Sequence, residues 1–350
     1  MTREHAPSKP GSIRWRLEQA VAGEPIQRPV FAVYDWFVRN RPIDWSSLFA
    51  RGLGQINHAD LIEYQRPHLE IVETTRLVDG QERRDVRWIT DIGELHEWYL
   101  GEWRQEYLIK DARDYRIMAR AWADTSLRAS DDLFNLSEQQ LGDAGITIAQ
   151  MGRTPFQHIQ IDYVGLERFS YDIADQSPEL LELLELLNDI KLQEFRAIVG
   201  SAARHIKLWE NLSIETMGPL LYRRYLVPFY RRIFEILDGT GKALQVHYDG
   251  KLALIADQIK ELPFAGLDSL TPPPEGDLTT AEARRWWPDK FFWLHPSLTW
   301  YSLPPQRLID RILRMIEDAG PYHYCLLISE EVPPNWQTTL PLILDTLNQI

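Results

Sequence analysis

Through the second half of the chain, brief apolar runs alternate with longer segments of helical period. Runs at 206–209, 243–247, 265–270, 291–294 and 322–328 are short, apolar and bounded by Gly, Pro or polar residues, which predicts buried strands. Between them, 219–237 sets Leu220, Leu221, Tyr225, Leu226, Phe229, Ile233 and Leu237 near a 3.6-residue period, with Pro228 expected to kink the helix. Further helices are expected at 252–262, 280–287, 305–319 and 338–349. Repeated strand and helix predicts a parallel sheet covered by helices, either closed into an eight-fold barrel or open and doubly wound.

The first half supplies the remaining members less clearly. Residues 29–34 and 146–151 read as buried strands, and 179–199 as a long leucine-rich helix with Ser177 as N-cap and Pro178 in its first turn. Between those strands, 68–77 and 83–92 flank Asp79-Gly80, a dipeptide that closes hairpins, so an inserted β-hairpin is expected. The aromatic stretch Trp98, Tyr99, Trp103 and Tyr107 then leads into a helical 111–123 and is expected to form an exposed patch. No G-x-G-x-x-G or Walker-type loop follows an early strand, and Gly239-Thr240-Gly241-Lys242 ends a helix rather than starting one. A closed α/β barrel, a (β/α)8 TIM barrel with an N-terminal hairpin and helical insertions, is therefore expected over 28–350, after an extension at 1–27.

Composition narrows the function. The 350 residues are 44% hydrophobic and 25% charged, as in ordinary globular proteins, with a formal charge of -13 that disfavours nucleic acid and anionic membrane as partners. A small-molecule substrate fits better. One cysteine, Cys325, a start without an apolar signal core, and no apolar run near the roughly 18 residues of a membrane span lead to the expectation of a cytoplasmic protein.

In a barrel, ligands gather at the C-terminal ends of the strands. Those ends offer Glu210 and Asn211, His247 and Asp249, Asp268 and Thr271, His295, then Ser329, Glu330 and Glu331. His247 and Asp249 stand two apart on extended chain, so both side chains point the same way and reach one place. Such carboxylates and imidazoles bind a divalent metal, position a charged substrate or move protons. Blander readings stand beside these: Asp249 before Gly250 suits a turn or a helix cap, and Glu210 suits an ion pair with Arg223 or Arg224. Only one of Glu330 and Glu331 can face the pocket. His58, His68, His96, His158, His205 and His323 show no convergent partners and are expected to be structural or exposed. Tyr34, Trp36, Tyr248 and Trp300 lie near strand ends and suit the lining of a pocket for a flat substrate.

Glu210-Asn211-Leu212, Tyr225-Leu226-Val227-Pro228, His247-Tyr248-Asp249-Gly250, Asp268 through Thr271-Pro272-Pro273-Pro274-Glu275-Gly276-Asp277, and Ile328-Ser329-Glu330-Glu331-Val332-Pro333-Pro334 resemble the uroporphyrinogen decarboxylase superfamily. The resemblance spans about 28–350 and is strongest after residue 200. It implies a (β/α)8 barrel, and either a decarboxylase or a zinc-dependent methyltransferase that works with a corrinoid protein. A homodimer is also implied. The decarboxylases carry an arginine-rich N-terminal motif, whereas this chain reads Pro29 to Arg39 without an arginine pair, which points to the methyltransferase branch. On that branch the place of the His-x-Cys metal pair falls at His247 and Asp249, and that of the late cysteine at Glu330 or Glu331, so two carboxylates stand where the family has thiolates. The expectation is a metal set of His247, Asp249 and Glu331, most simply zinc, with Glu210, His247 and Asp249 catalytic. Tyr34, Trp36, Asn211, Tyr248 and Asp268 are then expected to bind substrate. A decarboxylase of a tetrapyrrole or another carboxylated molecule would need arginines converging on the pocket, with Arg39, Arg41 and Arg153 as candidates. A non-catalytic binding subunit is the third reading.

Overall fold

The computed structural model describes residues 8–350. Eight parallel strands close a barrel: β1 Phe31–Tyr34, β2 Gly54–Asp60, β3 Gly145–Gln150, β4 His205–Leu208, β5 Ala243–His247, β6 Gly266–Leu270, β7 Phe291–Leu294 and β8 Tyr324–Leu327. Each strand pairs with its neighbours in sequence, and β1 completes the ring against β8. Four of these strands are buried along their whole length and three more at all but one residue, because one face packs in the barrel and the other under helices. The expected (β/α)8 barrel is the observed fold.

Helices fall between the strands as the periodicity predicts, with local differences. Pro178–Ile198 starts at the cap Ser177, and Pro305–Ala319 matches its expected bounds. The segment expected as one kinked helix at 219–237 contains a π-helical turn, Tyr222–Leu226, followed by the α-helix Val227–Leu237. Pro228 lacks the N–H that would bond one turn back, so the backbone widens just ahead of it.

The insertion between β2 and β3 is larger than a hairpin. Asp79 and Gly80 both take positive φ, 50° and 78°, and join Glu70–Val78 to Gln81–Thr90. Gly93–Leu100 and Trp103–Glu106 extend that pair to a four-stranded antiparallel sheet. Trp98, Tyr99 and Trp103 of the aromatic stretch thus lie in strands, and the expected helix follows at Ala112–Trp122, capped by Asp111. Trp103 is 79% exposed, while Trp98 and Tyr99 lie under the guanidinium groups of Arg83 and Arg84. At the other pole, the helix Ile13–Ala22 lies in the extension and sends Leu17 and Ala20 into the same core as the barrel strands. No helix among the described residues is long and apolar enough to cross a membrane.

Candidate active site

Strand alternation decides what faces the barrel interior. Lys207 on β4 is level with Gln245 on β5, and His247 is level with Asp268 on β6. Paired residues on parallel neighbours point the same way, so all four face inward, with Trp209 two residues beyond Lys207. Tyr34 at the end of β1 and His58 on β2 reach the same place, because both touch Lys207.

Asp268 is the centre of the cluster. Its Oδ2 lies 2.8 Å from Lys207 Nζ and 2.7 Å from His247 Nδ1, and its Oδ1 accepts from the Tyr34 hydroxyl. Burial alone would raise this carboxyl, but the Lys207 and His247 charges outweigh it and hold it well below the usual range. The same contacts act in reverse on the bases. Burial lowers Lys207 and is only partly offset by Asp268, whereas Asp268 overcomes burial at His247 and raises it. Lys207 also stands 4.5 Å from the centre of the Tyr34 ring and 4.6 Å from that of Trp209, faces that favour a cation.

His58 carries the network to β1. Its Nε2 is 3.2 Å from Lys207 Nζ and its Nδ1 is 2.9 Å from Asp35 Oδ1, while Arg39 holds the other Asp35 oxygen at 2.8 Å. On the far side, His295 Nε2 is 3.5 Å from the Tyr34 hydroxyl. His295 Nδ1 is 2.6 Å from Glu330 Oε1, a close contact without the angle of a hydrogen bond. Ser269 donates to that same Glu330 oxygen. The register of β6 shifts between Leu267 and Leu270, and Ser269 takes a left-handed φ of 65°. This bulge lets the adjacent residues Asp268 and Ser269 both serve the site, which a regular strand forbids.

The expected residues divide into two groups. His247, Asp268, Tyr34 and Trp36 come together, with Asp249 beside His247 at the mouth. Burial and the nearby Glu330 raise the Asp249 carboxyl. Glu210, Tyr248, Asn211 and Glu331 do not join them. Alternation turns Glu210 away from Lys207 and Trp209, into a buried layer where the Thr154 N–H and hydroxyl donate to it. Burial pushes Glu210 up to about 7. Tyr248, between the inward His247 and Asp249, points outward and meets Tyr222 and Tyr230 through its hydroxyl. Asn211 accepts from Arg153 at the surface. Glu331 is bound by Arg41, and it is Glu330 that turns toward the imidazoles.

The three candidate arginines are likewise committed elsewhere: Arg39 to Asp35, Arg41 to Glu331 and Arg153 to Asp162. They do not converge as a decarboxylase pocket for a polyacidic substrate requires. The expected metal set fares no better. Glu331 is held by Arg41, and no group of three His, Cys, Asp or Glu side chains among the described residues is placed to hold a metal ion. Where a bound cation would meet Asp268, the Lys207 ammonium already stands. The residues present do not fit zinc.

Lys207, His58 and Asp35 were absent from the expected set. A lysine inside an apolar strand was a signal for Lys207, since burial of an ammonium requires a partner. His58 had no such signal, because its strand was not foreseen.

No protein-family model and no curated protein matches the chain. Among solved structures it is similar to a methyltransferase from Methanosarcina mazei, 11% identical with a TM-score of 0.58, covering 97% of this chain and 98% of that one. It is also similar to a B12-independent methionine synthase from Shewanella sp. W3-18-1, 8% identical with a TM-score of 0.44, covering 87% of this chain and 85% of that one. What the first likeness shows is a shared (β/α)8 fold along nearly the whole chain.

Proposed function

We propose that this protein is a barrel enzyme of the methyltransferase kind, moving a methyl group from or to a small molecule at the C-terminal mouth. The observation that carries the reading is the Asp268–His247 pair, buried at the pole where such barrels do their chemistry and backed by Lys207 on the same carboxylate. Supporting it are the sequence resemblance to the superfamily that contains such enzymes and the full-length structural likeness to a methyltransferase.

With Nδ1 donating to Asp268, His247 keeps Nε2 for the mouth. Its raised basicity suits a proton donor. In the proposed step the Nε2 proton passes to the heteroatom of the methyl donor as its bond to the methyl carbon breaks. That heteroatom keeps the bonding electron pair, while the methyl carbon bonds to an acceptor from outside the chain. The acceptor is a corrinoid partner protein or a small methyl carrier, as the resemblance implies. Trp36 and Trp209, 5.1 Å apart between ring centres, form an aromatic wall beside the step. The cationic centre here is built from side chains, so no step requires zinc.

The test is transfer from 13C-methyl donors, a methoxyarene, a methylated thiol and a methylated amine, to cob(I)alamin, followed by 13C NMR. The wild type is expected to transfer from at least one donor, and His247→Gln to be about 100-fold slower or worse. Unchanged transfer by His247→Gln, or no transfer from any of the donors, overturns the reading.

A further inference from the structure

The centre has a second layer of support on the β1 and β2 side. Asp35 opens the helix Asp35–Asn40 directly after Tyr34, and it is buried. Its two oxygens are separately engaged, Oδ1 by His58 Nδ1 and Oδ2 by Arg39. Burial opposes its charge, but the His58 and Arg39 contacts keep the carboxyl below its ordinary value, so Asp35 is ionised and can only accept. The His58 nitrogen facing it must therefore carry the proton.

Burial and the Lys207 ammonium push the His58 imidazole down to about 4, so the ring is neutral across the physiological range. A neutral ring protonated at Nδ1 is bare at Nε2, and a bare Nε2 accepts. The group 3.2 Å away is Lys207 Nζ, which donates. The ammonium has three protons and three acceptors within reach: Asp268 Oδ2 at 2.8 Å, His58 Nε2 at 3.2 Å and the Tyr34 hydroxyl at 3.4 Å. Each bond constrains the next, from a carboxylate near the rim to the carboxylate that orients His247.

We propose that Asp35 and His58 are positioning residues of this centre: Asp35 fixes His58 in its Nδ1–H tautomer, and the bare Nε2 of His58 anchors the Lys207 ammonium against Asp268. The proposal rests on the reading above, in which Asp268 and Lys207 support His247. Neither positioning residue needs to touch substrate. The ring of His58 is enclosed by Trp36 at 5.3 Å, Trp209 at 4.9 Å and Tyr34 at 5.2 Å, which holds it in plane for both bonds.

The test uses the full chain labelled with 15N-histidine and 15N-lysine near neutral pH. Long-range proton–nitrogen spectra are expected to show His58 protonated at Nδ1 and bare at Nε2. Asp35→Leu is expected to let the tautomers mix. His58→Leu is expected to speed exchange of the Lys207 ammonium protons about tenfold, the effect of one lost charge-assisted hydrogen bond. His58→Gln, whose amide oxygen offers an acceptor, is expected to stay within about threefold of the wild type. A His58 ring protonated at Nε2 or at both nitrogens overturns the proposal, and so does Lys207 exchange that is the same with Leu and Gln at position 58. The tautomer measurement on the wild type decides even where a variant does not fold. The expected tautomer together with failed methyl transfer would retire the functional reading and leave the positioning in place.

Discussion

Lys207 and Asp268 form an ion pair with no solvent access on either side chain, its Nζ to Oδ2 distance being 2.8 Å. Desolvating two charges is costly, and their attraction repays it only when the remaining donors and acceptors are also met. Here they are, by His58, Tyr34 and His247. Lys207→Met therefore strands a buried carboxylate, with an expected loss of about 3–5 kcal/mol in urea unfolding. Lys207→Met combined with Asp268→Leu removes both charges and is expected to lose clearly less than the sum of the single variants. Additive losses would show that the pair is not coupled.

The pH dependence of stability follows from the same carboxylate. A carboxyl lowered by folding contributes fully above its unfolded value, so the Asp268 contribution is lost as pH falls below about 4. An imidazole raised by folding contributes fully below its unfolded value. The His247 contribution is therefore lost as pH climbs above about 6.5 and through its raised folded value. Unfolding free energy measured in urea at successive pH values is expected to decline on both sides of that window. His247→Gln is expected to weaken the alkaline decline, and an unchanged alkaline limb would count against the raised imidazole.

Glu210, in the outer layer, gives the slope opposite to that of Asp268. Its carboxyl moves from 4.5 in the unfolded chain to about 7 in the fold, so the native state binds the extra proton. Stability then falls as pH rises through that interval, by up to about 3 kcal/mol. Glu210→Gln keeps an oxygen for the Thr154 donors and removes the titration. It is expected to match the wild type near pH 4 and to exceed it near pH 8 in urea unfolding. Equal curves at both values would remove the buried carboxylic acid from the account.

The barrel was legible because most of its strands are apolar on both faces, and their spacing set the helices between them. β2 was not legible, for a physical reason. Its helix-facing positions Gln55 and Asn57 are polar, satisfied by each other and by Ser137, so the strand carries no apolar run. With β2 unseen, His58 had no place in the site. The strand-end rule found His247, Asp249, Asp268 and Tyr34, but applied without alternation it also gathered Glu210 and Tyr248. Both are excluded once Lys207 or His247 is set inward. Nothing in the sequence distinguished Glu330 from Glu331, because the choice depends on Arg41 and Ser269, which are distant in the chain.

Alternation at residues 247–249 is itself open to test. Tyr248 bridges Tyr222 at 3.1 Å and Tyr230 at 3.0 Å on the outer face, away from the mouth. Tyr248→Phe is expected to lower stability by about 1–2 kcal/mol and to leave methyl transfer unchanged. Asp249→Asn is expected to do the reverse, changing transfer while stability stays within about 0.5 kcal/mol. An exchange of these phenotypes would mean that the strand presents its other face.

The adjacent glutamates separate surface from site. Arg41 and Glu331 are each about two-fifths exposed, and solvent screening leaves a pair in that setting little to contribute. Glu331→Ala is expected to leave both stability and transfer near wild type. Glu330 is drawn down to about 2, because the nearby His295 and His247 outweigh its partial burial. Glu330→Gln removes the charge that faces His295 and is expected to slow transfer about tenfold or more. Because Asp268 already holds an ammonium and Glu331 is held by Arg41, added zinc is expected to leave the melting temperature unchanged in the wild type and in both variants. Zinc-dependent stabilisation lost in Glu331→Ala would restore the metal set read from the sequence, and would require Glu331 to leave Arg41.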